Sequence, residues 1–379
     1  MIDIISDNII SPLGFSTMQN CIAAKAGCSV VRQYSNLLDS GVDTAASLID
    51  CKMLDDAFTD YCLLDPANYT KVEKAAMLSI KTAADNCDVE LKSLRTAFYI
   101  SSTKGNVELL DKGESYFNSP EIPLWHTASV IVKYFGNPNT PVTVSNACIS
   151  GLSAIIAAAR ALESKRIDCA VVTGVDMLSR FIVLGFSSLK SLSPSQCRPF
   201  DINRTGLNLG EAASTVILRR SEEGSKFAKF VTGSIHNDAY HISSPSKTAE
   251  GSFRCLSDVA RNLDPSQLAF VNAHGTSTMY NDEMEAVAIS RAGLQDVPVN
   301  SLKPIFGHTL GAAGVLESVI SITALQDSAV LATKNFEEYG VSKKINIQRS
   351  IGSTDKQYAI KLISGFGGCN AAAVFKKGE

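Results

Sequence analysis

Strand-like and helix-like segments alternate along this chain, and the alternation restricts the fold more than any other feature. Val, Ile and Ala dominate eight strand-like runs, at 97–101, 142–145, 170–173, 214–218, 227–235, 269–272, 359–363 and 371–375. Stretches of helical composition separate many of them, at 71–86, 152–164, 281–292 and 312–326. This order predicts an α/β fold with mainly parallel strands, covered by helices on both faces of the sheet.

The length of the chain predicts two packed halves. Its 379 residues exceed one ordinary hydrophobic core. The polar stretch 221–226 follows a strand that ends in two arginines, so we predict an N-terminal half over residues 1–222 and a C-terminal half over residues 223–379. Each half offers a strand-to-helix crossing with a reactive side chain, although no sequence identity between the halves is visible by eye.

Composition excludes several classes of protein. The formal net charge is −3 and no dense Lys/Arg run occurs, which argues against a nucleic-acid-binding surface. The ten cysteines form no C-x-x-C pair and no Cys/His zinc spacing, so we expect reduced thiols and no metal. The N-terminus carries acids where a signal peptide is positive, and no apolar run approaches the ~20 residues that span a bilayer. We therefore expect a cytoplasmic protein without a transmembrane segment.

Cys148 lies where a predicted strand passes directly into a predicted helix. The helix face is marked by apolar residues at i, i+3, i+4 and i+7 spacing: Leu152, Ile155, Ile156, Ala159 and Leu162. Free backbone N–H groups and the positive end of the helix dipole favour a thiolate at such a position. Cys148 is therefore a candidate nucleophile, and a buried structural cysteine is the alternative that position alone leaves open.

Two of the five histidines, His274 and His308, stand in glycine-flanked turns between a predicted strand and a predicted helix. Gly275 and Gly307 permit unusual backbone angles and close approach of a ligand. A cysteine with two neutral imidazoles can perform acyl chemistry, because the thiolate attacks a thioester while the imidazoles donate hydrogen bonds to an oxygen that gains negative charge.

Three further features surround this set. Lys303 precedes His308 by five residues and is expected to hold a carboxylate, with Glu317 as the candidate; an ordinary surface lysine is the alternative. A turn is predicted at Gly365, Phe366, Gly367 and Gly368, and its backbone N–H groups could contribute to an oxyanion hole. The alternative is a plain glycine hairpin without a functional role. The small residues at 311–314 fit tight helix packing better than phosphate binding, because the P-loop pattern is absent.

Seven motifs together carry a resemblance to a known family. In chain order they are SPLG near the start, NACISG, RPFDINRTGLNLGEAA, NDAYHISSPS, NAHGTST, SLKPIFGHTLGAAGVLE and GFGGCN. The chain resembles the β-ketoacyl-acyl carrier protein synthases, the decarboxylating condensing enzymes of fatty-acid and polyketide synthesis. The resemblance covers nearly the whole chain, and it implies the thiolase-like five-layer αβαβα fold built from two similar halves.

The resemblance also implies a role for each candidate residue. Cys148 would take the acyl chain from a phosphopantetheine carrier, and His274 and His308 would bind the thioester carbonyl of a malonyl extender. Lys303 and Glu317 would support the histidines, Thr276 and Thr278 would contact the pantetheine arm, and Phe366 would stand beside the cysteine as a gatekeeper, its backbone N–H joining that of Cys148 in the oxyanion hole. No cofactor is implied. The expected partners are an acyl carrier protein and a second ketosynthase-like subunit, identical or related.

Some residues depart from the common family pattern near the nucleophile. Asn146 stands where Thr is usual, Ile149 replaces a small residue, and Ser364, with Leu362 and Ile363, replaces an Asn-Ser-Phe sequence. Asp7 and Asn8 replace a Thr-Gly-x-Gly stretch near the N-terminus. These departures concern the acyl pocket, and they favour a specialised enzyme, such as an aryl-polyene or another type II polyketide synthase.

Three competing classes are less well supported. A thiolase would need a second catalytic cysteine, and initiating ketoacyl synthases carry Asn where His308 stands. The remaining alternative is a non-elongating partner subunit, like the chain-length factors that pair with active synthases. Such partners lose the nucleophile, so Cys148 argues against this alternative.

Overall fold

The strands and helices of the computed structural model are numbered here in chain order, and the structure describes residues 1–113 and 119–379. The strands are β1 (Ile2–Ile10), β2 (Arg32–Tyr34), β3 (Thr44–Ser47), β4 (Thr96–Ser101), β5 (Val142–Val144), β6 (Cys169–Asp176), β7 (Leu209–Gly210), β8 (Ala212–Arg220), β9 (Ala228–Asn237), β10 (Leu268–Asn272), β11 (Val299–Asn300), β12 (Ala329–Val330), β13 (Gly352–Ser353), β14 (Tyr358–Gly365) and β15 (Cys369–Lys376). The α-helices are α1 (Thr17–Lys25), α2 (Cys51–Cys62), α3 (Lys71–Asp85), α4 (Leu124–Tyr134), α5 (Ser150–Glu163), α6 (Arg180–Ser188), α7 (Glu250–Ala260), α8 (Met279–Arg291), α9 (Lys303–Phe306) and α10 (Ala313–Gln326).

Two five-stranded units make up the large sheet, and they share one strand order. The N-terminal unit runs β5-β4-β6-β8-β1 and the C-terminal unit runs β11-β10-β14-β15-β9. If the strands of each unit are counted along the chain, both orders read third, second, fourth, fifth, first. The helices repeat as well, since α3, α4 and α5 occur between the same strands of the first unit as α7, α8 and α10 do in the second. The expectation of two similar halves is therefore confirmed.

Strand direction differs from the expectation of a mainly parallel sheet. In each unit the second strand pairs in parallel with the third and the fourth, whereas the fourth, fifth and first strands pair antiparallel. The two units also meet antiparallel, through β1 and β9. The prediction of mainly parallel strands is wrong, because in each unit only the pairs made by the second strand are parallel. β15, for example, follows β14 through a short turn, and a connection that short joins antiparallel strands only.

Helices lie in three layers around the two sheet units. The helices α5 and α10 pack on each other and on strands of both units, so they form the central layer. The helix α3, with α4 beside it, covers the outer face of the N-terminal unit, and α7, with α8 beside it, covers that of the C-terminal unit. The arrangement is the expected five-layered αβαβα fold.

The strand β6 is apolar on both faces because helices cover both faces of the sheet there. On β6, Ala170 and Val172 join the central core, whereas Val171 and Val175 join the core beneath α3 and α4. The predicted apolar face of α5 lies in the central core throughout: Leu152, Ile155, Ile156, Ala159 and Leu162.

Glycines allow the two central helices to approach closely. A Cβ built on Gly151 of α5 would lie 2.8 Å from the carbonyl oxygen of Gly311, and one on Gly314 of α10 would collide with the backbone nitrogen of Leu152. The predicted use of the 311–314 segment for tight packing is confirmed by these contacts.

All eight predicted strands and four predicted helices are present, with ends displaced by a few residues. The sequence did not predict β1, in which Asp3, Ser6 and Asp7 interrupt the apolar pattern. The predicted boundary between residues 222 and 223 falls in the connection from β8 to β9 and stays a prediction. Within the described ranges, no helix is both long enough and apolar enough to cross a membrane.

Candidate active site

The turn between β5 and α5 fixes the backbone of Cys148. Ala147 has a positive φ of 46°, a left-handed conformation that L-residues adopt at a cost. The Ser150 hydroxyl stabilises the turn, since it donates to the carbonyl of Ala147 at 2.6 Å and accepts from the N–H of Asn146 at 2.8 Å. The turn therefore holds Cys148 two residues before Ser150, the first residue of α5, close to the helix start that the sequence predicts.

The turn between β14 and β15 brings backbone groups beside the cysteine. Burial raises the pKa of the Cys148 thiol, and the backbone N–H of Phe366 acts in the opposite direction. A Cβ on Gly365 would lie 3.1 Å from the backbone nitrogen of Cys148, so glycine keeps that N–H uncovered. The Phe366 ring stacks on Phe186 of α6, with 5.6 Å between ring centroids. The two N–H groups expected to form an oxyanion hole are thus adjacent.

His308 is held through its backbone and through one ring nitrogen. Its N–H donates to the carbonyl of Asn208 at 2.7 Å, and its own carbonyl accepts from the N–H of Gly210 at 3.0 Å. The ring Nδ1 accepts from the N–H of Leu310 at 3.3 Å, so the proton of a neutral imidazole lies on Nε2. Nε2 is buried without a hydrogen-bond partner among the described residues. Its N–H is free to donate to a bound oxygen.

His274 follows β10 and is fixed by a carboxylate of the next helix. Glu285 of α8 accepts from the backbone N–H of His274 at 2.5 Å and from that of Gly275 at 2.7 Å. The two imidazoles stand edge to face, with 5.0 Å between their ring centroids. One oxyanion bound between the rings could therefore accept a hydrogen bond from each of them.

Behind the histidines, a buried carboxylate joins two lysines. Glu317 of α10 pairs through Oε1 with the ammonium of Lys303 and through Oε2 with that of Lys361, the latter at 2.5 Å. All three side chains are at most 2% exposed. The expected pairing of Lys303 with Glu317 is present, and Lys361 is an addition that the sequence analysis missed.

One cavity of about 340 Å³ collects most of the predicted residues. Cys148, His274, His308, Thr276, Thr278 and Phe366 all line it. The hydroxyls of Thr276 and Thr278 are 2.9 Å apart at its wall. The remaining lining residues are Phe186, Leu189, Lys190, Ser191, Thr205, Gly206, Leu207, Asp238, Ser243, Ser244, Pro245, Met279, Tyr280, Asn281, Ser364, Gly365, Gly368 and Asn370.

Burial reverses the expected ionisation of the nucleophile. It raises the pKa of the Cys148 thiol to about 11, although Lys104, Lys303 and the N–H of Phe366 act in the opposite direction. The expectation of a thiolate at the helix start is therefore wrong for the resting enzyme, because loss of solvation outweighs the local donors. Burial, followed by the charge of Lys303, also holds the pKa of both histidines well below the usual value, so both imidazoles are neutral.

Three functional positions escaped the sequence analysis. Lys361 could have been noticed in the sequence, because it is a lone charge in the apolar run of β14. Nothing in the sequence distinguishes Glu285 or Asp176 from ordinary acidic residues. Asp176 accepts from Ser102, Thr103 and the backbone N–H of Gly311, and so joins the end of β4 to the segment that follows His308. Across residues 1–113 and 119–379, no group of three or more His, Cys, Asp and Glu could hold a metal ion.

Comparison with known families matches most of the chain. Residues 82–224 match the family described as "Beta-ketoacyl synthase, N-terminal domain", and residues 227–337 match "Beta-ketoacyl synthase, C-terminal domain". The 3-oxoacyl-[acyl-carrier-protein] synthase 2 of Vibrio harveyi is 32% identical over 330 residues, which cover 78% of this chain and 79% of that protein. The protein of the same name from Coxiella burnetii is 28% identical over 408 residues, which cover 97% of this chain and 96% of the relative.

Solved structures show the same fold. A ketosynthase in complex with its chain length factor, from Xenorhabdus doucetiae, superposes with a TM-score of 0.86 over 99% of this chain and 98% of that one, at 23% identity. The curated relatives, which are named 3-oxoacyl-[acyl-carrier-protein] synthases, place the chain among the acyl-transferring enzymes. The family matches and the Vibrio relative are more specific: the chain belongs to the β-ketoacyl synthase family.

Proposed function

We propose that this chain catalyses a decarboxylative Claisen condensation between an acyl group on Cys148 and a malonyl group on an acyl carrier protein. The observation that carries the proposal is the convergence of Cys148, His274 and His308 from three separate segments onto one cavity. The products are a 3-oxoacyl carrier protein, longer by two carbons, and carbon dioxide. The chemistry needs no cofactor, because a thioester and neutral donors suffice.

Acyl transfer is the first step. The Cys148 sulfur attacks the thioester carbonyl of the incoming acyl carrier, a new C–S bond forms, and the pantetheine thiol leaves with the proton that Cys148 loses. The backbone N–H groups of Cys148 and Phe366 donate to the oxyanion of the tetrahedral intermediate. Because burial raises the pKa of the thiol to about 11, the sulfur loses its proton as the substrate binds rather than beforehand.

Decarboxylation and carbon–carbon bond formation follow. The N–H groups of His274 and His308 donate to the malonyl thioester oxygen, which gains negative charge when the bond to the carboxylate breaks. The enolate carbon attacks the acyl carbonyl on Cys148, the C–S bond breaks, and the departing sulfur takes a proton from solvent. Neutral imidazoles suit this role because the low pKa of both histidines keeps them uncharged donors.

The proposed partners follow from the substrate and from the relatives. Thr276 and Thr278 at the cavity wall are suited to the amides of a pantetheine arm. The Xenorhabdus structure is of a ketosynthase with its chain length factor, and it supports pairing of this chain with a second ketosynthase-like subunit, identical or related. A non-elongating role is less well supported, because such a subunit needs neither Cys148 nor the histidine pair. We place the reaction in the cytoplasm.

Intact-protein mass spectrometry tests the first step. We expect incubation with a panel of saturated, polyenoyl and aryl acyl carriers to add the mass of the preferred acyl group to the wild-type protein. The C148A variant should gain none. Cys28 is exposed and distant from the cavity, so C28A is the matched control and should load normally. An acyl mass on C148A would refute the nucleophile assignment.

Carbon dioxide release tests the second step. With malonyl carrier as substrate, we expect H274A and H308A to lose roughly 100-fold or more in decarboxylation, as removal of a single oxyanion donor commonly does. Both variants should still become acylated at Cys148. Release at the wild-type rate from either variant would contradict the proposed role of that histidine.

A further inference from the structure

Lys361 is a fully buried lysine in the middle of the apolar strand β14. Its neighbours on the same face, Ala359 and Ile363, belong to the central core, and its Cα lies opposite Asn272 of β10. Desolvation strongly disfavours an isolated ammonium at this depth, so its presence requires close partners of opposite charge or good hydrogen-bond acceptors.

Both kinds of partner connect Lys361 to the histidines. Its ammonium pairs with Glu317 Oε2 at 2.5 Å and donates to the carbonyl of Ala273 at 3.2 Å. Ala273 is the residue directly before His274. The other oxygen of Glu317 holds Lys303, whose carbonyl accepts from the N–H of Gly307, directly before His308, at 2.8 Å. The Lys361–Glu317–Lys303 bridge therefore links the two histidine segments.

Given the condensation proposed above, we propose that Lys361 is a positioning residue for the decarboxylation step. It fixes the segment of His274 to that of His308 through Glu317, and it adds a second buried positive charge beside the imidazoles. Lys303 alone would already neutralise Glu317, so Lys361 gives the bridge a net positive charge. That charge disfavours protonation of both rings.

Charged groups from other elements also lie beside the two histidines. Lys104, from the loop after β4, lowers the pKa of His308. Glu285, from α8, accepts from the backbone N–H of His274, and burial raises its own pKa to about 7. Burial is the main cause of the low pKa of both histidines, and Lys303 and Lys361 lower it further. Burial also lowers the pKa of Lys361 itself, to about 8, against the effect of Glu317. Removing the Lys361 charge should raise the pKa of both histidines. As the pH falls, the variant should therefore lose activity at a higher pH than the wild type does.

Two substitutions separate the tether from the charge. K361M removes both, whereas K361Q removes the charge and keeps a donor for the carbonyl of Ala273. I360M is the matched control, because Ile360 is equally buried on the other face of the same strand and contacts the outer core. For all four proteins we would measure malonyl decarboxylation from about pH 4 to pH 8.5, acylation of Cys148, and the thermal unfolding midpoint.

We expect the acid limb of decarboxylation in K361M and K361Q to move to higher pH, and each unit of displacement would appear as a tenfold loss of rate at the acid end. Near pH 8, kcat should fall in K361M, which lacks a donor to the carbonyl of Ala273, and should stay at the wild-type value in K361Q, which keeps one. Acylation of Cys148 and the I360M profile should not change. Unshifted acid limbs in both variants would overturn the proposal, and if K361M does not fold, the K361Q profile decides alone.

A measurement without substrate distinguishes failure of this proposal from failure of the proposed function. Titration of the imidazoles by NMR, with labelled histidine, should give a higher pKa for His274 and His308 in K361Q than in the wild type. An unchanged titration would overturn the role of Lys361 even in an active enzyme. A wild-type protein that releases no carbon dioxide would instead overturn the condensation, and the titration would still report on the charge.

Discussion

At Cys148, two local influences on one sulfur oppose each other. The start of α5, the N–H of Phe366 and two lysines favour the thiolate, and burial favours the thiol. Burial is stronger, because a sulfur that is 7% exposed has lost nearly all contact with water. A resting enzyme of this kind protects its nucleophile from adventitious oxidation and alkylation, both of which require the thiolate.

This balance predicts slow and strongly pH-dependent alkylation of Cys148. With iodoacetamide in the absence of substrate, the rate at Cys148 should rise about tenfold for each pH unit from about pH 7 to pH 10, because its pKa is about 11. Peptide mass spectrometry can separate this site from the exposed Cys28 and Cys51. A rate at Cys148 that levels off below about pH 8 would mean that the thiolate already dominates at neutral pH.

The same residue marks the limit of inference from sequence. Its place at a helix start follows from the apolar periodicity of residues 152–162, and the structure confirms that place. Its ionisation does not follow, because burial depends on Phe366 and His308, which are distant in sequence. Lys361 is similar: its lone charge in β14 is visible, but its link to His274 requires the pairing of β14 with β10.

At the scale of elements, the contact between α5 and α10 determines where Cys148 and Glu317 lie. Each helix has a glycine where the two helices cross, and their backbones are in direct contact there. No space remains at this crossing for an added methyl group. The position of the nucleophile relative to the carboxylate of the bridge therefore depends on two glycines.

Alanine substitutions at two helical glycines should have effects of opposite sign. G314A should lower the free energy of unfolding by about 2 kcal/mol or more, because its Cβ would collide with the backbone at Leu152. G185A, at an exposed position of α6, should raise it by about 0.5–1 kcal/mol, because nothing lies within 4 Å of the added Cβ and alanine favours the helix. Urea unfolding measures both. Equal effects would show that the crossing tolerates a methyl group.

At the scale of the whole molecule, non-covalent contacts hold the two units together in addition to the peptide connection between them. The antiparallel pairing of β1 with β9 joins the two sheet units, and the central helices pack on both. The pairing of Asp176 with Gly311 adds a polar link between the units next to the cavity. The connection at 221–227 contributes little to this contact, since Glu222, Glu223 and Gly224 are exposed.

Cleavage of this connection should therefore leave the molecule intact. If a protease site is inserted after Gly224 and cut under native conditions, the two fragments should elute together in gel filtration and still acylate Cys148. Denaturant should then separate them. Fragments that part without denaturant would mean that the peptide connection, rather than the central layer, holds the units together.

The repeated strand order places Cys148 and His308 at corresponding positions of the two units. Cys148 lies between β5 and α5, and His308 lies between β11 and α10. In the proposed reaction the N-terminal unit supplies the attacking sulfur, and the C-terminal unit supplies the donors to the oxygen that gains negative charge. Neither unit holds both groups, so one unit produced alone should form no product.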